Sequence, residues 1–243
     1  MTELNTVPSV GLLYPGVGAE DDFPYLEEAH DGVLRLPLVL TAGGDVAHLV
    51  EELLAVGGSE NLLEGAREVA AFSPDAVIWA CTSGSFVYGW GGAHDQADEV
   101  AQAIGIPTSS TSIAFAQACR ALGVGKVAVA ASYPDDLAQH FKRFLGDAGI
   151  EVVSFQSNDI ATAGEVGLLD REQVIAMAKA ADHADAEAIL IPDTAMHSLR
   201  WVDDLEQATG KVVLTANQVT VWEGLRIAGR PLKLPGLGTL FRG

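Results

Sequence analysis

The chain is poor in cysteine and in positive charge. Its 243 residues include two cysteines, Cys81 and Cys119, too few for a disulfide framework. Lys and Arg number 14 against 33 Asp and Glu, a net charge of −19. A basic surface for phosphate backbones or anionic membranes is therefore absent, which excludes direct nucleic-acid binding. No apolar run approaches the ~18 residues of a membrane span. Met1-Thr2-Glu3-Leu4-Asn5 lacks the basic-then-apolar order of a secretory signal. The six histidines are scattered without a ligand pair at i, i+4, so no metal site is expected. Neither a Gly-x4-Gly-Lys-Ser/Thr loop nor a Gly-x-Ser-x-Gly elbow occurs. Tyr14-Pro15-Gly16-Val17-Gly18 has incomplete dinucleotide spacing, and Asp21-Asp22 would repel a pyrophosphate; it reads as a loop at a cleft. Disorder is excluded by the 49% apolar content. The expectation is a soluble cytoplasmic protein whose length allows one large domain or two smaller ones.

Short apolar runs alternate with longer helical patterns. Strands are predicted over 9–14, 33–40, 76–81, 126–131, 151–155, 186–192 and 211–216. Helices are predicted over 45–55, 60–72, 93–104, 111–122, 135–148, 171–184, 198–208 and 218–228, with Ser59, Thr111 or Ser112, and Asp170 as caps. The tail after Pro231 is rich in Gly and Pro and reads as irregular. Strands alternating with helices imply parallel sheets covered on both faces. The same order runs twice, which gives two pseudo-symmetric αβα halves: 1–112 plus 217–243, and 113–216. Ligands of such sheets bind beyond the carboxyl ends of the strands, so the site is expected in the cleft between the halves.

Cys81-Thr82-Ser83-Gly84-Ser85 follows a predicted strand where α/β active sites sit. Its amides and hydroxyls suit a carboxylate, and their partial positive charge favours a Cys81 thiolate. The alternative is a small buried cysteine at a strand end. Cys119, mid-helix among small apolar residues, reads as packing. Asp193, in Pro192-Asp193-Thr194-Ala195-Met196-His197-Ser198, ends the matching strand of the second half. It would face Cys81 across the cleft and exchange protons with a shared ligand, or cap the next helix. His197 either faces solvent or binds Asp193 or a substrate carboxylate. Tyr133, after the strand 126–131, either donates its phenol proton to an anionic oxygen or packs on the rim. Thr194 joins the ligand-binding candidates, and Asn217 caps the last helix or touches ligand.

Cys81-Thr82-Ser83-Gly84-Ser85-Phe86, Tyr133-Pro134 and Thr215-Ala216-Asn217-Gln218 resemble the aspartate/glutamate racemase superfamily. Within it the similarity is to the maleate cis–trans isomerase and arylmalonate decarboxylase branch, over nearly the whole chain. The resemblance implies a cofactor-independent enzyme acting on small mono- or dicarboxylates in the central cleft. Cys81 would be the first-half catalytic cysteine, Thr82 and Ser83 the carboxylate- and oxyanion-binding positions, and Tyr133 the ligand-contacting tyrosine. The chain departs from the pattern at Asp193, where racemases and maleate isomerases usually carry a second cysteine. Arylmalonate decarboxylases keep that cysteine and lack the first. The asparagine that binds substrate in the first-half loop of maleate isomerases is also missing. Two-thiol racemisation is thereby excluded.

The first expectation is a maleate-type isomerase. Thiolate Cys81 adds to a cis-enedioate, and Thr82, Ser83 and Tyr133 stabilise the enediolate. The second is a racemase or decarboxylase with Cys81 and Asp193 as an acid–base pair. A third, from another class, is a non-catalytic carboxylate-binding protein on this scaffold. The expected partner is a small carboxylic acid, and the apolar content permits a homo-oligomer.

Overall fold

The computed structural model describes residues 7–41 and 44–242. The first half holds β1 (Val10–Tyr14), α1 (Asp22–Ala29), β2 (Leu38–Leu40), α2 (Val50–Val56), α3 (Ser59–Ala70), β3 (Ala76–Trp79), α4 (Ser83–Phe86), α5 (Gly89–Ile104) and β4 (Thr108–Ser110). The second begins with α6 (Thr111–Leu122). It continues through β5 (Lys126–Ala131), α7 (Asp135–Asp147), β6 (Glu151–Ser157), α8 (Ala163–Gly167), α9 (Arg171–Ala181), β7 (Ala188–Ile191), α10 (Val202–Thr209) and β8 (Val212–Thr215). The last long helix, α11 (Ala216–Ile227), packs against α6 and the first sheet.

The strands form two parallel four-stranded sheets, ordered β2-β1-β3-β4 and β6-β5-β7-β8. The two orders are the same permutation, so the expected α/β duplication is present. Alternation along the strands divides the core. Val10, Leu12 and Tyr14 of β1 join Val127 and Val129 of β5 in one cluster that runs through both halves. Leu13 faces the other way, with Val77 and Trp79, and Ala128 faces Ile189 in the outer cluster of the second sheet. The inner strands β1, β3, β5 and β7 are thus buried on both faces, as parallel sheets require, while the edge strands β2 and β6 are partly exposed. The shared cluster fixes the halves against each other and brings the ends of β1, β3, β5 and β7 to one cleft.

Several local expectations are corrected. The strand predicted over 33–40 shrinks to Leu38–Leu40. Pro37 has no N–H for a ladder, and the amide of Leu36 donates to the Glu27 carboxylate instead. The helix predicted from 45 begins at Val50; residues 45–48 run extended, and Ala47 bridges Thr162 of the other half. α1 has no counterpart among the predicted helices; Pro24 lies in its first turn, where proline is tolerated. Ser110, rather than Thr111 or Ser112, caps α6, its Oγ accepting the Ile113 N–H. Asp170 caps α9 in a reciprocal capping box with Gln173. The tail closes with a 3-10 turn, Thr239–Phe241, whose Leu240 and Phe241 are buried.

Candidate active site

β3 ends two residues before Cys81, and the chain turns at once into α4. This turn is pinned by the Ser112 hydroxyl, which donates to Thr82 O at 2.8 Å, and by Gln96, whose amide donates to Gly84 O at 3.1 Å. Gly84 therefore aims its N–H at Cys81 Sγ, 3.2 Å away. The Ser83 hydroxyl lies 3.8 Å from the same sulfur. A side chain at Gly84 would come within 3.0 Å of the sulfur, so glycine is required for this approach. The amides act as the sequence suggests, but burial outweighs them and pushes the thiol up to about 12. Burial thus works against the expected thiolate, because desolvation disfavours the charged form.

Asp193 follows β7 in a left-handed conformation, φ 115°, which costs a non-glycine residue on the order of 1–3 kcal/mol. The strain turns its carboxylate back over the strand ends. Oδ2 accepts the Ser132 hydroxyl at 2.5 Å, and Oδ1 accepts the Ala195 N–H at 2.9 Å. It does not cap a helix, since the next helical turn starts at Leu199. Its own N–H donates to Thr82 Oγ1 at 3.4 Å across the cleft.

His48 was missed by sequence reasoning. It is 4% exposed, with Nε2 3.6 Å from Asp193 Oδ2. Its position inside a stretch read as helix hid it; the absence of a cap before Asp45 was the available signal. Tyr133 is buried with its ring edge-on to His48 and Phe86, centroids 4.9 and 5.6 Å apart. Its hydroxyl forms no hydrogen bond of good geometry within the protein, although the Thr82 and Ser83 hydroxyls lie beside it. Burial, with Asp193 and Cys81 nearby, holds the phenol well above its ordinary value, so it is a neutral donor awaiting an acceptor. Tyr14, read only as part of a cleft loop, joins the halves: its hydroxyl donates to Thr194 O at 2.9 Å and accepts the Ala19 N–H at 3.0 Å.

Cys81, Ser83, Asp193, Thr194, His48 and Tyr14 line one cavity, closed over by Pro15, Val17, Val46 and Ala163. It encloses about 20 Å³. Asn217 does not reach it. Its amide donates to Asp22 Oδ2 at 3.0 Å and Met196 O at 3.3 Å, so that candidate is corrected to a buried clamp. His197 is likewise elsewhere, with Nε2 2.6 Å from Asp21 Oδ1 and Nδ1 3.1 Å from Gly167 O. Cys119 is fully buried in α6, as packing requires. A larger hollow of about 270 Å³ lies between α6, α11 and the tail and gathers none of the candidates. Among the described residues, no cluster of three or more His, Cys, Asp or Glu could hold a metal ion. No helix there is long and apolar enough to cross a membrane.

Chemically, the cavity sets a thiol and a carboxylate from opposite sheets around neutral hydrogen-bond donors, with an imidazole beside the carboxylate. The chain as a whole is similar to known proteins. Residues 56–241 match the family model of arylmalonate decarboxylase. An arylmalonate decarboxylase of Bordetella bronchiseptica is 28% identical over 242 residues, covering 97% of this chain and 94% of its own. A maleate isomerase of Nocardia farcinica is 29% identical over 181 residues, 72% of each chain. A solved structure of the Nocardia farcinica maleate cis–trans isomerase superposes with a TM-score of 0.87 at 26% identity, covering 98% of this chain and 99% of that one. That protein is a cysteine-to-serine mutant with a covalently bound succinylcysteine intermediate.

Proposed function

The chain belongs to the arylmalonate decarboxylase family, and from that membership we propose that it is a cofactor-independent enzyme moving a proton at the carbon next to the carboxylate of a small carboxylic acid. The observation that carries the reading is the pair at the cavity: Cys81 and Asp193, both buried, reach one space from the two sheets. Asp193 is the base and Cys81, resting as a thiol, is the acid. The substrate carboxylate lies against Ser83 and Thr194 at the cavity wall, with Tyr133 and Thr82 beside Ser83 and outside the lining.

In racemisation, Asp193 takes the α-proton and the C–H electron pair passes into the substrate carboxylate as an enediolate. The donors oppose that charge as it develops. Cys81 then gives its proton to the opposite face. The enzyme is left with a protonated Asp193 and a Cys81 thiolate, and it resets by releasing one proton and regaining the other. In decarboxylation the C–CO2 bond supplies the electron pair, carbon dioxide leaves, and Cys81 protonates the enediolate before regaining a proton from water.

A second reading is maleate-type cis–trans isomerisation, favoured by the succinylcysteine of the Nocardia farcinica relative. Here the Cys81 proton passes to Asp193, Sγ bonds to an alkene carbon, and the π pair becomes an enediolate. Rotation about the new single bond, return of the pair and departure of sulfur give the trans isomer.

One assay separates the readings. The protein is incubated in deuterium oxide with a panel of amino, hydroxy, aryl and malonic acids and with maleate, and followed by proton NMR. Deuterium at the α-carbon, lost in Asp193→Asn, supports the first reading. Conversion of maleate to fumarate without such exchange, lost in Cys81→Ala, supports the second. Turnover of none of these acids overturns both.

A further inference from the structure

We propose that His48 is the positioning residue of Asp193: its imidazole, fixed through Nδ1, presents Nε2 to the carboxylate, and the segment carrying His48 holds it there across the mouth of the cavity. The inference rests on the reading of Asp193 as the base.

The first ground is the hydrogen-bond inventory. His48 Nδ1 is 2.8 Å from Ile160 O, a carbonyl that only accepts, so Nδ1 carries a hydrogen. Nε2 then faces Asp193 Oδ2 at 3.6 Å. If neutral, it would set a lone pair against a carboxylate oxygen. A proton on Nε2 turns that opposition into an ion pair. The second ground is charge. Among the described residues, Asp193 is the only carboxylate lining the cavity, and His48 is the only lining residue able to carry positive charge; no Lys or Arg is among them. A buried carboxylate without a counter-charge is costly, and it would repel an anionic substrate.

The groups around His48 leave Asp193 as its partner. From the second half it meets Asp193 and the edge of Tyr133; Cys81 and Tyr14 share its cavity. On its own segment, Asp45 is engaged by the Gly164 N–H and Glu52 by the Ala47 N–H, both at the exposed side. Glu165 accepts the Ala161 N–H there.

The third ground is the clasp. Residues 45–48 and 160–164 zip across the mouth of the cleft: the His48 N–H donates to Ala161 O at 2.8 Å and the Ala163 N–H to Val46 O at 3.0 Å. The space beneath, about 20 Å³, holds roughly one water, so a carboxylic acid needs the cavity to widen, and this clasp lies across its mouth. The clasp fixes the imidazole against Asp193 while that carboxylate takes the α-proton.

The test uses the full chain with 15N-labelled histidine. His48 is assigned by the loss of its signal in His48→Asn, whose amide can still donate to Ile160 O. The His48 ring signals of the wild type differ from those of a folded Asp193→Asn, because Nε2 faces the carboxylate. Ring signals unchanged between the two overturn the proposal, and if Asp193→Asn fails to fold the same comparison is made with Asp193→Glu. With an active substrate, His48→Asn lowers kcat more than tenfold, leaves KM within threefold and shifts the pH profile. His48→Gln, which can donate to Asp193, recovers part of kcat; equal kcat and pH profile in wild type and His48→Asn count against the pair. The NMR result needs no turnover, so a coupled ring in a protein inert towards every acid sinks the chemistry and leaves the pair standing.

Discussion

The Gly84 amide points at Cys81 Sγ from 3.2 Å, yet the sulfur it faces is held as a thiol by burial. The relationship gives the resting enzyme a proton donor with an anion-stabilising group already in place behind it. Iodoacetamide should therefore alkylate Cys81 of the unliganded protein at pH 8 at least roughly tenfold more slowly than a free thiol. The rate should climb as pH approaches about 12. Mass spectrometry of the Cys81 peptide measures both. The linkage has the same sign: the native thiol is raised above its ordinary 9.0, so its contribution to stability is full below about 9 and is lost as pH rises towards about 12. Rapid modification at pH 8 contradicts the buried thiol.

Asp193→Asn separates geometry from chemistry. Asparagine tolerates a left-handed backbone about as well as aspartate, and its Oδ1 can still accept the Ala195 N–H. Its Nδ2 cannot accept the Ser132 hydroxyl that Oδ2 accepts, so folding stability should fall by about 0.5–1.5 kcal/mol. A base that no longer exists should reduce α-exchange roughly 10²–10⁴-fold. Urea denaturation beside deuterium exchange reads the two effects separately. Retained exchange in a folded variant removes Asp193 from the mechanism.

The sequence made the two parallel sheets and the two strand-end residues Cys81 and Asp193 readable, because buried parallel strands print as short apolar runs and sites follow their carboxyl ends. The regions misread share one property: their structure is set by partners distant in the chain. Residues 45–48 look helical locally and become extended because residues 160–164 offer them hydrogen bonds, so His48 was invisible. Asn217 looked like a cleft residue because it follows β8, yet Asp22, 195 residues away, claims its amide. The thiol of Cys81 was misjudged because amides are legible in a Gly-Ser turn, whereas the depth of burial is not.

Asp22 is the keystone on the side of the cleft away from Cys81. Its Oδ2 accepts N–H groups from Ser198, Leu199 and Asn217 at 2.9, 3.1 and 3.0 Å. Asp22→Ala leaves those donors without an acceptor and should cost about 1–3 kcal/mol or more. Asp22→Asn keeps an acceptor and removes the charge. Burial raises the carboxyl above its ordinary 3.8, so the native state holds that proton more tightly than the unfolded chain. The stability this provides is full below about 3.8 and is lost as pH rises through the native value. Relative to the wild type, Asp22→Asn should therefore gain stability from pH 3 to pH 7. Chemical denaturation at the two pH values checks the sign, and a relative loss refutes it.

Gly18 sets how closely the two halves meet. It lies in the loop after β1 with φ 145°, and a Cβ there would stand 2.6 Å from the Ala195 Cβ and 2.7 Å from its Cα. Ala195 belongs to the loop of Asp193 in the other half, and the Cα cannot swing aside as a long side chain would. Gly167 approaches from the same side: its own added Cβ would meet Gly18 O at 2.8 Å. Gly18→Ala therefore must bend the backbone or wedge the cleft, at a cost of about 1–3 kcal/mol. If the halves part, Cys81 becomes reachable while its distance from Asp193 grows. The expected signature is faster alkylation of Cys81 together with slower turnover, in a protein that still unfolds cooperatively. Slower alkylation with unchanged turnover would mean that the strain is absorbed within the loop and that this contact does not govern access to the cavity.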